Sequence, residues 1–317
     1  MTEFGYALSS EEHGPRDLVE YARRAEQAGF EFGLISDHFH PWTDAQGQSP
    51  FVWTVIGGIA QATERLRIGT GVTCPTIRVH PAIVAQAAAT SAAMMPGRFF
   101  LGVGTGENLN EHVVGEGWPA PDERLVMLQE AIEVMRLLWQ GGEQTHRGDY
   151  YDVEQARIYT LPEQPVELAV AAAKPKAAEL AGRLGDAFVN TSPDADVIAT
   201  FDSSGGAGKP RYGGITCCWA ASEEEGAQTA REIWPNAALG GDLGYELPRP
   251  EHFEEATADL TPEDLAEAIP CGPDPDRYLE DIRAYEQAGY THVYFHQIGY
   301  DQDGFFRFWQ KELQPKL

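Results

Sequence analysis

The 317-residue chain is poor in basic charge: 23 Lys and Arg stand against 49 Asp and Glu, for a formal net charge of −26. That deficit excludes a nucleic-acid binder working by phosphate neutralisation, and a polybasic membrane-surface protein. Lysine is scarcest, with only Lys174, Lys176, Lys209, Lys311 and Lys316. Acid excess with so little lysine predicts a surface that holds water and cations at high salt, as in a halophile. Cysteine is limited to Cys74, Cys217, Cys218 and Cys271, without C-x-x-C spacing. No basic segment followed by an apolar stretch opens the chain, so a cytoplasmic protein with reduced thiols is expected. Long apolar runs are missing too: the window from Pro81 to Met95 is broken by Gln86, Thr90 and Ser91 and is too short to span a bilayer. What remains is ample for a core, since 43% of residues are hydrophobic and 10% aromatic, which separates this acidity from that of a disordered chain.

Short β-rich runs alternate with helical patterns almost from end to end. Strands are expected at Phe4–Ala7, Phe32–Ile35, Leu66–Thr70, Phe99–Val103, Glu167–Ala171, Ala187–Asn190, Tyr212–Trp219 and His292–Phe295. Each is followed by a helical pattern, the seventh by Glu223 to Trp234. Eight such pairs predict an α/β fold, a (β/α)8 TIM-type barrel with insertions, as a single domain over 1–317. The insertions are expected at about 140–165 and 236–275, the second with helices Pro262–Ala268 and Asp276–Ala288. A doubly wound open sheet is the alternative, but it would not need a final strand at His292. In a barrel the chemistry sits in the loops after the C-terminal strand ends.

After the second strand comes Ser36-Asp37-His38-Phe39-His40-Pro41-Trp42. Two histidines, a carboxylate and a tryptophan at a strand end suit proton exchange near neutral pH, although a capping Asp37 and a core Trp42 would give the same letters. His38 and His40 alternate and so permit a metal pair, but no later strand supplies the further ligands, and no metal is expected. The fourth strand ends in Gly102-Val103-Gly104-Thr105-Gly106-Glu107-Asn108-Leu109-Asn110-Glu111, whose glycines let backbone approach a flat or anionic ligand. Glu107 either presents an acid to the barrel mouth or is a solvated loop acid. The third strand ends in Gly69-Thr70-Gly71-Val72-Thr73-Cys74-Pro75-Thr76, small and hydroxyl-bearing, suited to lying against a planar ring. The fifth ends in Ala171-Ala172-Ala173-Lys174-Pro175-Lys176 at a helix start, either a phosphate site or two solvated lysines. His296, on the last strand, reads as a packed or hydrogen-bonded histidine, and Cys217 and Cys218 as buried and inert.

Together, Ser36-Asp37-His38-Phe39-x-Pro41-Trp42, Gly102-x-Gly104-Thr105-Gly106-Glu107-x-Leu109-Asn110-Glu111 and Phe295-His296 with Asp301-Gln302 resemble the luciferase-like barrel family. The nearest likeness is to its dehydrogenase branch that uses the deazaflavin coenzyme F420 on sugar phosphates and secondary alcohols. The resemblance implies hydride transfer from a carbinol carbon to C5 of the deazaflavin. It implies His38 as the base that takes the hydroxyl proton, Trp42 as the residue stabilising the resulting state, and Glu107 as the acid that protonates the ring at N1. Asp37, Gly71, Val72, Thr76, Thr105, Gly106, Ala172, Ala173, Lys174 and Lys176 match cofactor-binding positions, with a cis peptide expected at Gly71-Val72. A homodimer is the family habit.

The departures bear on substrate. The phosphosugar enzymes hold their phosphate with Lys and Arg, whereas the matching stretches here are Thr191-Ser192-Pro193-Asp194, Phe253-Glu254-Glu255 and Ala268-Ile269-Pro270. A phosphate dianion facing Asp194 or Glu254 would bind poorly. An uncharged alcohol or unphosphorylated sugar is therefore expected, with Trp219, Trp234 and Tyr245 as pocket walls. The alternatives are an F420-dependent sugar-6-phosphate dehydrogenase, an FMN-dependent luciferase-like monooxygenase, a metal-dependent barrel hydrolase and a non-catalytic deazaflavin carrier.

Overall fold

The computed structural model describes residues 2–317. Eight parallel strands close into a barrel: β1 (Glu3–Leu8), β2 (Phe32–Ile35), β3 (Arg67–Thr70), β4 (Phe99–Val103), β5 (Glu167–Ala171), β6 (Ala187–Asn190), β7 (Arg211–Cys217) and β8 (His292–Gln297). Neighbours around the ring are neighbours in the chain, and β8 closes on β1 with Phe295 beside Tyr6. This is the (β/α)8 barrel expected from the alternation.

Local signals explain the outer helices. Helix Pro15–Ala28 starts on proline, whose missing N–H costs nothing in a first turn. It buries Leu18, Ala22, Ala25 and Ala28 along one face, and Gly29 ends it at φ 91°. Inside the ring, Phe32, Leu34, Phe100, Ala169, Ala187, Val189, Tyr212 and Tyr294 fill the barrel. Phe100 and Tyr212 stack with ring centres 5.0 Å apart. Burial of each large ring contributes about 2–3 kcal/mol. The floor of the barrel is thus sealed, and only the mouth is available for chemistry.

Two stretches depart from plain alternation. Gln144–Arg147 and Asp152–Ala156 pair as an antiparallel hairpin outside the barrel. After β7 the chain does not place its next helix on the barrel wall, and the expected seventh pairing is corrected. Helix Glu223–Ile233 packs Ala227, Ala230 and Ile233 with Trp234, Leu265, Ile269 and Ile298 in a separate cluster. The wall position belongs to helix Pro275–Ala288, whose Tyr278, Leu279, Ile282 and Tyr285 join the main core. The side cluster stands over the C-terminal end of β7 and β8, beside the mouth.

Candidate active site

The alternation of the strands carries the inner face up to the mouth. On β8, Tyr294 fills the barrel and His296 lies two residues higher. On β2 the same row runs from Leu34 through Ser36 to His38, and on β1 from Ala7 through Ser9 to Glu11. Opposite them, β3, β4 and β5 end in Gly71-Val72, Gly104 and Ala171. The mouth therefore has two halves, one carrying carboxylates and imidazoles, the other small and apolar.

The polar half centres on His38. Its Nε2 lies 3.3 Å from Glu11 Oε1, with the two side chains 9% and 3% exposed. Glu11 Oε2 accepts hydrogen bonds from Ser36 Oγ at 2.6 Å and Ser9 Oγ at 3.1 Å. Burial alone would raise the Glu11 carboxyl, but His38, Ser36, its own backbone N–H and His296 outweigh it, and its pKa is lowered. Glu11 is therefore an ionised group aimed at the imidazole. On the other edge, His38 Nδ1 lies 3.2 Å from both the His40 carbonyl and Asn110 Nδ2. Trp42 tilts against the ring at 5.0 Å and rests its own indole on Phe253. His40 turns elsewhere, with Nδ1 2.9 Å from the Leu109 carbonyl and its ring stacked on His112, so the alternation that permits a metal pair is not used as one.

Asn110 joins the two loops that carry the chemistry. Its Oδ1 accepts from the backbone N–H groups of Phe39 and His40, which fixes the amide so that Nδ2 points at His38 and, at 3.3 Å, at Glu107 Oε2. Base and acid candidates are thus two hydrogen bonds apart. Beneath them lies a buried cluster. Arg78 Nη2 donates to Asp37 Oδ1 at 2.9 Å, Thr73 Oγ1 donates to Asp37 Oδ2, and Arg78 N donates to Glu111 Oε2 at 2.7 Å. Asp37 thus has both oxygens engaged and a side chain only 1% exposed. Glu111 is pushed up to about 7, mainly by burial, with Arg78 opposing and Glu107 and Asp37 adding to the rise.

The apolar half makes a floor. The Gly71-Val72 peptide is cis. A Cβ on Gly104 would meet Val72 Cγ2 at 2.8 Å and Ala171 Cβ at 3.5 Å, so only glycine leaves this surface flat. Gly106 adopts φ 77°, and a Cβ there would strike Cys74 Sγ at 2.6 Å. Thr105 is half-buried on the same loop, and Thr76 is buried, its carbonyl accepting from Tyr151 Oη. A planar tricyclic ring fits a floor of Val72, Gly104 and Ala171 edged by hydroxyl groups.

At the rim, Ala172 is buried and Ala173 exposed, and they lead into helix Pro175–Leu184, whose first turn has no side-chain cap. Lys174 and Lys176 flank that N-terminus. Lys174 Nζ pairs with Asp242 at 2.5 Å and Lys176 Nζ with Asp122 at 2.8 Å, both in solvent. Glu246 accepts from Arg124 and Trp118, and its carbonyl from Asn108, so the segment around Tyr245 lies over the Glu107 loop. Trp234 stands beside His296. Trp219 does not line the mouth: it packs against Phe308 and Gly304 on the outer side, where its backbone is tied to Gln297.

A sequence model of the family described as luciferase-like monooxygenase matches residues 1–292. The chain belongs to this luciferase-like family. This luciferase-like chain is 37% identical over 330 residues to an F420-dependent glucose-6-phosphate dehydrogenase of Amycolatopsis mediterranei, covering 100% of this chain and 99% of that protein. A protein of the same description from Nocardia farcinica is also 37% identical, covering 99% and 98%. Among solved structures, an F420-dependent secondary alcohol dehydrogenase in complex with an F420-acetone adduct superposes with a TM-score of 0.91 at 30% identity, covering 99% and 98%. A coenzyme F420-dependent tetrahydromethanopterin reductase from Methanopyrus kandleri, at 19% identity and TM-score 0.80, shares the fold. Among the described residues, no helix of the luciferase-like chain is long and apolar enough to cross a membrane.

Proposed function

We propose that the chain is an F420-dependent dehydrogenase moving a hydride between the carbinol carbon of an uncharged alcohol or unphosphorylated sugar and C5 of the deazaflavin. One observation carries this reading: a carboxylate-backed histidine and a loop carboxyl, Glu107, are joined through Asn110 and face a flat floor of small residues. Alcohol oxidation needs a base at the hydroxyl and a proton donor for charge developing on the acceptor ring. The deazaflavin, when bound, supplies the hydride acceptor. His38 takes the hydroxyl proton, and Glu11, paired with its Nε2, stabilises the imidazolium that forms. Trp42 covers the reacting carbon and excludes water. Glu107 holds the carboxyl that serves N1 of the ring. Asp37, Gly71, Val72, Thr76, Thr105, Gly106, Ala172 and Ala173 shape the ring site, and Lys174 and Lys176 leave their aspartates to meet the cofactor's negative tail.

The relatives with 37% identity are, by name, dehydrogenases of glucose 6-phosphate, but a phosphorylated substrate is disfavoured here. Beside Trp42, where a phosphate would need a cation, stand Phe253 and Glu254, the latter accepting from Asp44 N. Asp194 is spent capping helix Ala195–Phe201. An FMN-dependent monooxygenase is the other reading. Titrating the purified protein with F420 and with FMN separates them, and tight FMN binding without F420 binding would overturn the proposal.

Helices Val52–Ala62 and Pro81–Met94 contain no charged residue, yet expose Thr54, Gln61, Ile83, Gln86, Thr90 and Met94. In a chain of net charge −26 this neutral face is where two copies meet without repulsion, and a homodimer forms through it. The four cysteines are buried free thiols, consistent with a cytoplasmic setting, and the acidic surface is a salt adaptation.

A further inference from the structure

The mouth holds a second carboxylate-backed imidazole that proton removal from one hydroxyl does not use. Glu12, next to Glu11 in the chain, places Oε2 3.2 Å from His296 Nε2. Its other oxygen accepts from Gly299 N at 2.9 Å, so the carboxylate cannot swing away. Trp234 meets the His296 ring edge-on at 4.4 Å and fixes its plane. The Glu12 side chain is 2% exposed and that of His296 12%, so the acid is sealed beneath and the imidazole reaches the mouth. With Nε2 committed to Glu12, Nδ1 is the edge without a partner among the described residues. The two carboxylates are anchored about 3.8 Å apart at Cα; burial pushes the Glu11 carboxyl up, and His296 is near enough to join His38 and Ser36 in holding it down. Trp42, over His38, and Trp234, over His296, pack on the same apolar cluster.

We propose that His296, oriented by Glu12, hydrogen-bonds a second hydroxyl of the substrate, so that the enzyme's substrates are uncharged diols or polyols, including aldoses, and not monohydric alcohols. This rests on the dehydrogenase reading above. His38 works on the hydroxyl being oxidised, and His296 holds its neighbour. A neutral hydroxyl is the partner the site favours: a phosphate or carboxylate placed there would face Glu11 and Glu12 with no cation between.

The test compares cyclohexanol with cis-1,2-cyclohexanediol, which share one ring, as reductants of F420. Wild type is expected to show a KM for the diol at least about tenfold below that for cyclohexanol, the effect of one hydrogen bond to a charge-backed group. His296→Phe keeps the ring against Trp234 and should raise the diol KM about tenfold with kcat little changed, while His296→Asn recovers part of the loss. Should His296→Phe fail to fold, the wild-type His296 ring resonances report directly: they shift on adding the diol and not on adding cyclohexanol. Equal KM values for the two alcohols, an unchanged diol KM in a folded His296→Phe, or unmoved resonances overturn the inference while the dehydrogenase reading stands. F420 left oxidised by every alcohol overturns both.

Discussion

Glu11→Gln isolates what the buried carboxylate does for His38. The substitution keeps the shape, places the amide oxygen at Nε2 and the NH2 at the Ser36 and Ser9 hydroxyls, which can rotate to accept, and removes the charge facing Nε2 at 3.3 Å. When His38 takes a proton, that charge and the new imidazolium attract by about 5 kcal/mol at an effective dielectric of about 20. The glutamine carbonyl, accepting a neutral hydrogen bond in its place, returns about half. The net loss of about 2–3 kcal/mol in the transition state predicts kcat lower by about 30- to 150-fold. Stopped-flow loss of deazaflavin absorbance under single turnover reads the hydride step directly. F420 affinity, measured by fluorescence quenching on the same preparation, guards against a displaced cofactor. A Glu11→Gln rate within about threefold of wild type, with affinity intact, would refute the role given to the carboxylate.

Glu111 makes a pH prediction. Its carboxyl is raised from about 4.5 to about 7, chiefly by burial, so the folded state holds its proton more tightly than the unfolded chain. The contribution to stability is full below about pH 4.5 and lost as pH rises to about 7, about 3 kcal/mol in all. Glu111→Gln cannot ionise, so its stability in urea should gain on wild type by that amount between about pH 4.5 and 8, and a constant gap would contradict the assignment. The double variant Lys174→Ala, Lys176→Ala should weaken F420 binding several-fold at low salt and leave that of the tail-less deazaflavin ring unchanged; equal effects on both would remove the lysines from the tail site. Sedimentation in dilute and molar KCl should find a dimer in both, with thermal stability rising in molar salt as surface repulsion is screened. A monomer after Ile83→Asp supports the neutral face, and an unchanged dimer rejects it.

The barrel was legible because each strand announces itself as a short apolar run between helical patterns, and because order in the chain is order around the ring. The seventh wall helix was not. Glu223–Ile233 and Pro275–Ala288 are both amphipathic, and only packing decides which apolar face meets β7. His38 and Trp42 stood out as unusual residues at a strand end, and Glu107 was singled out by the motif likeness and not by its residue type. Glu11 and Glu12 did not, because two more acids vanish among 49. Position could have found them: Ser9 to His13 follow β1 directly, in the same kind of loop that led to His38, and all five are buried. Asn110 was visible as part of a motif, but its bridging role needs β2 and β4 to bring together residues 71 apart in sequence. Trp219 misled because an aromatic beside a strand end looks the same whether it faces the mouth or the outer helices.

The most direct measurement is anaerobic reduction of F420 by an uncharged diol, run with wild type and His38→Ala side by side at low and molar salt. Wild type is expected to bleach the deazaflavin with the diol and not with glucose 6-phosphate, and His38→Ala is expected to bind F420 as wild type does and to bleach nothing. Bleaching with glucose 6-phosphate alone, or equal rates from the two proteins, would contradict the account.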